Sequence, residues 1–319
     1  MIQKDTNPYP NSDTNKRYYT YEYYMRKKYG GRCVKIPLDP GFTCPNIDGR
    51  CGVGGCIYCS DRGSGDFAAS SALTISEQYD ITREKLSSKW DISRTIAYFQ
   101  AHTNTYAPLE KLRSVYEEAL SMEGVVGLNI ATRADCLEDN VVEYLACLAD
   151  NRTRLCVELG LQSSSDETAA FINRGHTFAD FVAGYNKLRK ASPNIEICVH
   201  LILGLPHENH DTMIKTAKDT ARLMPDQVKI HLLHVIRGTP LGGMCERGEY
   251  IPMERADYIN TVCDVIELLP QNTVIARLTG DGMAKDLLAP LWSIKKTTVI
   301  NDIDKEFFAR GSYQGKKAE

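Results

Sequence analysis

Four cysteines, at positions 44, 51, 56 and 59, crowd into sixteen residues of a glycine-rich segment, DPGFTCPNIDGRCGVGGCIYCS. Cys56 and Cys59 have the close spacing with which one turn of chain presents two sulfurs to one metal centre. A third ligand comes either from Cys44, as C-x11-C-x2-C, or from Cys51, as C-x4-C-x2-C. Gly49, Gly52, Gly54 and Gly55 let the backbone wrap around a bulky group. Thiolates of this kind hold iron–sulfur clusters. Four cysteines can also close a zinc site, although a zinc ribbon carries two CxxC pairs and this loop has one. A redox-active pair is the third reading, but such a pair usually opens a helix, and here a glycine-rich loop surrounds it. Spacing alone leaves all three chemistries open.

The other seven cysteines, Cys33, Cys136, Cys147, Cys156, Cys198, Cys245 and Cys263, are scattered, mostly among apolar neighbours. They read as small buried hydrophobes. Apolar residues make up 43% of the 319 and charged residues 25%, as in an ordinary globular protein. A net charge of −3 offers no global argument for nucleic-acid binding. No apolar run approaches the ~20 residues that span a bilayer, and the polar start, MIQKDTNPYPNSDTNKR, lacks a signal-peptide core. No membrane partner is expected. The expected location is the cytoplasm, where thiols stay reduced.

What must position the cysteine loop is a strand-then-helix rhythm that begins near residue 33. Strands are predicted at 33–38, 94–100, 125–131, 154–161, 195–203 and 227–235, each short and rich in Ile, Val and Leu. Helical spacing separates them at 75–86, 108–120, 138–149, 178–190 and 211–224. Strands each followed by a helix imply α/β architecture with a parallel sheet buried on both faces. Six units are too few for an eight-stranded barrel and fit a partial (β/α)6 TIM-type barrel, whose active site lies at the C-terminal strand ends. An open doubly wound sheet is the rival. Three parts are expected: a basic and aromatic arm over 1–32, the partial barrel over 33–241 with its cluster loop at 40–60, and a small C-terminal extension over 242–319. In the last, a helix at about 253–268 precedes a strand in NTVIARLTG.

FTCPNIDGRCGVGGCIYC after a first strand resembles the cluster loop of the radical S-adenosylmethionine (SAM) superfamily, and more narrowly the YhcC/YtqA-like proteins related to the elongator catalytic domain. KIPLDPGFTCPN, YFQAHTNTYAP at 98–108, TRADC at 132–136, ELGLQSSSDETAAFINRGH at 158–176, HLILGLPHE at 200–208 and KIHLLHVIRGTPL at 229–241 carry the resemblance in order over nearly the whole chain. It implies that Cys44, Cys56 and Cys59 hold a [4Fe–4S] cluster. Position 51 is not usually cysteine in the family, so Cys51 is either a bystander or an alternative ligand.

Three thiolates leave one iron without a protein ligand, and the resemblance implies that SAM binds there through its amino and carboxylate groups. An electron then splits SAM into methionine and a 5′-deoxyadenosyl radical that takes a hydrogen atom from the substrate. Gln100, Thr132, Arg133, Gln162 and Ser163 stand at strand ends where such enzymes hold SAM. The Gln162-to-Arg174 spacing resembles that of the coproporphyrinogen-dehydrogenase type, in which Arg reaches the SAM carboxylate. His200 stands where those enzymes carry an Asp near the ribose, and Gly204 opens the turn that passes adenine. Glu158 is a further candidate contact, with a pair to a nearby cation as its competing reading. For Arg174 the competing reading is a helix C-terminal charge beside Gly175. His176, His231 and His234 read equally as structural and catalytic, and no residue is singled out for the hydrogen-transfer chemistry.

The arm carries eight Lys or Arg within residues 1–36, with Tyr18, Tyr19, Tyr21, Tyr23, Tyr24 and Tyr29 interleaved. Cations neutralise phosphates and rings stack on unpaired bases. The alternative is a helix whose tyrosines pack on the barrel while Lys and Arg face water. The family resemblance implies a tRNA substrate modified on the C5 side chain of its wobble uridine, and an electron donor such as flavodoxin or ferredoxin. Two other readings remain: a radical SAM enzyme acting on a small metabolite, and a non-enzymatic iron–sulfur or zinc module.

Overall fold

The computed structural model describes residues 7–63, 67–151, 153–280 and 284–318. In chain order its first elements are α1 (Tyr21–Tyr29), β1 (Val34–Leu38), α2 (Ile75–Ser87), β2 (Thr95–Phe99), α3 (Leu109–Ser121), β3 (Val125–Thr132), α4 (Asp139–Asp150) and β4 (Arg154–Gln162). There follow α5 (Asp166–Phe171), α6 (Phe178–Ala191), β5 (Ile195–Leu203), α7 (His210–Arg222), β6 (Gln227–Leu232), β7 (Val235–Ile236) and α8 (Pro240–Glu246). The chain closes with α9 (Arg255–Leu268), β8 (Val274–Arg277), β9 (Leu287–Ala289) and α10 (Lys296–Ala309). Among the described residues no helix is long and apolar enough to cross a membrane.

β1 to β6 lie side by side in sequence order, all parallel, and form a curled half-barrel with helices outside. The six expected strands are present within one or two residues, apart from β6, which ends at Leu232. A seventh strand joins them: β8, from the expected C-terminal extension, pairs parallel with β6.

Side chains alternate across each strand. On the outer face Ile36, Leu38, Phe99, Leu128, Ile130, Val157, Leu159, Ile197, Val199, Val228 and Ile230 are buried against the helices in one core. The alternate positions, which face the lumen, carry Lys35, Tyr98, Asn129, Glu158, His200 and Lys229. A fully buried parallel strand usually reads as a continuous apolar run. Here Lys35, Tyr98, Asn129, Glu158, His200 and Lys229 interrupt those runs from inside, and this polar layer is what the fold offers to chemistry.

The N-terminal segment is folded onto the barrel. Thr20 caps α1 and bridges Ile275 at the β8 edge. Tyr9, Tyr18 and Met25 are buried, and Arg17 is only 7% exposed. Tyr24 and Lys28 reach Glu196, Lys16 pairs with Asp304, and Arg26 pairs with Asp13 at 2.7 Å. The tyrosines therefore pack, and Lys16, Arg26 and Lys28 are paired with carboxylates within the fold. Lys27 and Arg32 are exposed and stand over aromatic rings, those of Tyr23 and Trp90. Lys4 lies outside the described residues.

Candidate active site

The loop between β1 and α2 carries the crowded cysteines to the C-terminal mouth of the half-barrel. It is built by local hydrogen bonds: Ile47 N–H donates to Cys44 O at 2.8 Å, Cys51 and Gly52 N–H to Pro45 O, and Cys59 N–H to Cys56 O at 3.0 Å. All described cysteines are free thiols. The Cys56 thiol is drawn down to about 7, first by a hydrogen bond from Cys59 and, against the effect of burial, by Arg133, Tyr58 and Arg174. Cys59 moves the other way because it donates that bond. Cys51 points aside, 4.0 Å from Asp135 Oδ2, and Cys136 contacts the other oxygen of the same carboxylate.

Asn46, two residues after Cys44, joins the loop to the strand ends. Its Nδ2 donates to Asn173 O at 2.6 Å and Arg174 O at 2.9 Å, and lies 3.5 Å from Cys56 Sγ. Arg133, just past β3, donates to Asn46 Oδ1 at 2.6 Å and to Arg174 O at 2.5 Å while pairing with Asp135 at 2.7 Å. Gly175 makes room for this junction: its φ is +78°, and a Cβ there would sit 2.6 Å from Asn46 Oδ1. Sequence reading passed over Asn46; its position directly inside the TCPN motif was the available signal.

Gln100, Thr132, Gln162 and Gly204 all stand at or just past strand ends on the same rim. Thr132 Oγ1 lies 2.6 Å from Thr105 Oγ1. Gln162 holds a φ of +65° and Ala101 one of +85°, conformations a non-glycine residue rarely adopts and which concentrate at functional sites. Thr103 Oγ1 and Asn104 Oδ1, beside the cysteine loop through Thr103 N–H to Thr43 O, are buried with no partner among the described residues. The Gly204 turn borders a cavity of about 670 Å³ lined by Leu205, Met213, Tyr250, Met253 and Asn260.

Other expected contacts are engaged within the protein. Arg174 is buried, and its guanidinium donates to the carbonyls of Leu161, Ser163 (2.6 Å) and His176 (2.9 Å). Ser163 Oγ donates to Glu208, whose pKa burial raises. Glu158 and His200 lie below the rim, in the lumen. Glu158 is bound by Lys229, by Lys35 at 3.1 Å, by Asn129 at 2.5 Å and by His200 at 2.9 Å. Burial would raise its pKa, but Lys229 and Lys35 outweigh burial and hold it well below the usual range. His200 is pushed down to about 4, chiefly by burial and then by Lys229. Lysines inside apolar runs, as in CVKIPL and QVKIHLL, marked this lumen in the sequence.

The donor set suits a cluster. Among the described residues no three His, Cys, Asp or Glu side chains converge closely enough to hold a single ion. Thiolates bound to different irons of a cubane need not converge so tightly. Two guanidiniums stand behind the sulfurs to offset their negative charge, and Asn46 offers an N–H towards one of them. The unfilled polar atoms on the rim suit a polar ligand beside the thiols.

Family comparison decides the class. The radical SAM superfamily model matches residues 47–220, and the model of the radical SAM C-terminal domain matches 225–308. The chain belongs to the radical SAM superfamily. Its similarity to the protein YtqA of Bacillus subtilis (strain 168) is 47% identity over 97% of this chain and 95% of that protein. With YhcC of Escherichia coli (strain K12) it shares 33% identity over 92% and 94%. A tRNA uridine(34) acetyltransferase of Methanocaldococcus jannaschii is 29% identical over 57% of this chain and 34% of its own length. Among solved structures, the Elp3 of Methanocaldococcus infernus superposes with a TM-score of 0.66 at 19% identity, covering 88% of this chain and 64% of that one. That likeness shows the radical SAM half-barrel fold.

Proposed function

We propose that this radical SAM protein binds a [4Fe–4S] cluster through Cys44, Cys56 and Cys59 and cleaves SAM reductively. The observation that carries the reading is the junction at the barrel mouth, where three free thiols stand beside Asn46, Arg133 and Arg174. When bound, such a cluster supplies one electron to the SAM sulfonium, giving methionine and a 5′-deoxyadenosyl radical. Gln100, Thr132, Gln162 and Gly204 line the rim on which SAM would lie, and Arg133 and Arg174 fix the walls. The electron comes from a low-potential donor of the flavodoxin or ferredoxin kind, in a reducing compartment such as the cytoplasm.

The proposed substrate is tRNA, modified at the C5 side chain of the wobble uridine. The support is the similarity to a protein named tRNA uridine(34) acetyltransferase, carried over to the shared part of the chain alone. Anaerobic reconstitution, iron and sulfide analysis and detection of 5′-deoxyadenosine test the cofactor reading; stoichiometric zinc without iron would overturn it. Mass spectrometry of tRNA nucleosides from a strain lacking the gene tests the substrate. An unchanged wobble nucleoside, with turnover in the absence of RNA, would favour a small metabolite.

A further inference from the structure

Among the described residues, one layer of the lumen sets two lysines against a single carboxylate. Lys229, 3% exposed, and Lys35, 21% exposed, share one carboxylate, that of the fully buried Glu158. Both ammoniums also stand over the Tyr98 ring, at 4.5 and 5.1 Å. Neutral His200 and His231 bring no counter-charge, and burial holds both pKa values down. An ammonium carries three N–H donors. Lys229 directs two of them at Glu158 and at the Tyr98 hydroxyl, the latter at 3.1 Å. His231, its ring 5.2 Å from His200, has a buried Nε2 with no partner among the described residues. A buried charge without its counter-charge is costly, and an anion in this layer would relieve that cost while giving His231 Nε2 a partner.

The layer is also placed for a substrate. Glu158 and His200 each precede a rim residue, Gln162 and Gly204, by four positions. At roughly 3.3 Å per residue the floor lies about 13 Å below the rim. A group reaching it passes the cysteine loop on the way.

We propose that the lumen floor is an oxyanion subsite, in which Lys229 and Lys35 hold a carboxylate or phosphate of the substrate and His231 adds a hydrogen bond. The site rests on the radical SAM reading above and narrows its substrate: the group that enters the barrel ends in an anion.

The test uses full-length protein, with Lys229→Met to remove charge at similar length and Glu158→Gln to remove the competing carboxylate. Two anticodon stem-loop RNAs are compared, one with 5-carboxymethyluridine at the wobble position and one with uridine. The wild type is expected to prefer the carboxylated RNA by about tenfold or more. Lys229→Met should bind both RNAs alike with SAM affinity unchanged, and Glu158→Gln should keep the preference. In parallel, acetate and inorganic phosphate are compared with chloride at equal ionic strength for their effect on Tm. If the two RNAs bind alike but acetate raises Tm in the wild type and not in Lys229→Met, the subsite stands and the tRNA reading fails. Phosphate acting in place of acetate would assign a phosphate ligand. The proposal is overturned if neither the RNA pair nor either anion distinguishes wild type from Lys229→Met, or if Lys229→Met weakens SAM instead. Should Lys229→Met fail to fold, Lys229→Met/Glu158→Gln removes one charge of each sign and serves in its place.

Discussion

Arg133 grips Asn46 across the barrel mouth, with Nη1 donating to Oδ1 at 2.6 Å, so the end of β3 holds the chain two residues past Cys44. The same guanidinium binds Arg174 O and Asp135. One side chain thereby ties the cysteine loop, β3 and the segment after α5 together. Arg133→Met should cost about 3–5 kcal/mol, the scale for breaking a buried ion pair from one side. Denaturant titration gives the stability and iron analysis the loop's competence. A variant of wild-type stability with full iron would remove Arg133 from this role.

Replacing Cys44, Cys56 or Cys59 singly by Ala is expected to abolish SAM cleavage and the visible absorbance of the reconstituted cluster. Cys51→Ala should retain most of both, because Cys51 faces Asp135 rather than Cys56 and Cys59. The opposite pattern, loss in Cys51→Ala and retention in Cys44→Ala, would exchange the two ligands.

Arg174→Ala should act first on stability. Three backbone carbonyls lose their donor, at about 1–3 kcal/mol for each buried group left unsatisfied. Chemical denaturation measures that loss. A variant that keeps its stability but binds SAM ten- to 150-fold more weakly would instead place Arg174 on the SAM carboxylate.

The strands were legible because their outward residues, such as Ile36, Val157 and Val228, are apolar at period two and interrupted by helices of clear 3.6 period. Their ends were legible too, and with them Gln100, Thr132 and Gln162. Inward positions were harder: Lys35 and Lys229 break apolar runs by one residue, and nothing local says that they meet across the lumen at Glu158. Nor does local pattern say that β8 adds beside β6, since parallel pairing is decided by contacts far apart in sequence. In the N-terminal segment the alternation of Tyr with Lys suited both a nucleic-acid arm and a packed helix. Burial of Met25 and Tyr18 shows that the segment packs on the barrel, which removes apolar area from water.

Acid should weaken the fold before the carboxylates titrate. His200 and His176 have folded pKa values lowered to about 4, in both cases mainly by burial, whereas the unfolded imidazole titrates near 6.5. Between those values the unfolded chain binds the extra proton, so stability rises with pH across that window and is level above it. The slope approaches ~1.4 kcal/mol per pH unit for each such histidine. Glu158, with its folded pKa depressed, adds a further loss below about 4.5, the usual carboxyl range. Urea unfolding of the cluster-free protein between about pH 7 and pH 5 reads this; a flat profile would mean that the histidines are protonated in the fold.

Deleting residues 1–28 should lower Tm, since it strips Tyr9, Tyr18, Met25 and Tyr24 from the barrel. Lys27→Glu should leave Tm nearly unchanged. If RNA meets this helix, Lys27→Glu also weakens tRNA binding more at low than at high salt. Salt-dependent filter binding beside thermal melts separates the effects, and unaltered affinity would locate the tRNA surface elsewhere.

The pairing of Thr20 with Ile275, and of Arg17 O with the Gln314 N–H, has a consequence for how the protein is made. The cysteine loop leaves the ribosome early, but Arg133 and Arg174, which wall it in, come some 75 to 130 residues later. At roughly 5–20 residues per second that interval is several seconds or more. α1 cannot dock against β8 until residue 275 has emerged. The nascent chain therefore carries three unshielded thiols while these later residues are made. Cluster delivery to the finished protein, when both arginines stand behind the sulfurs, is the order of assembly that this topology favours.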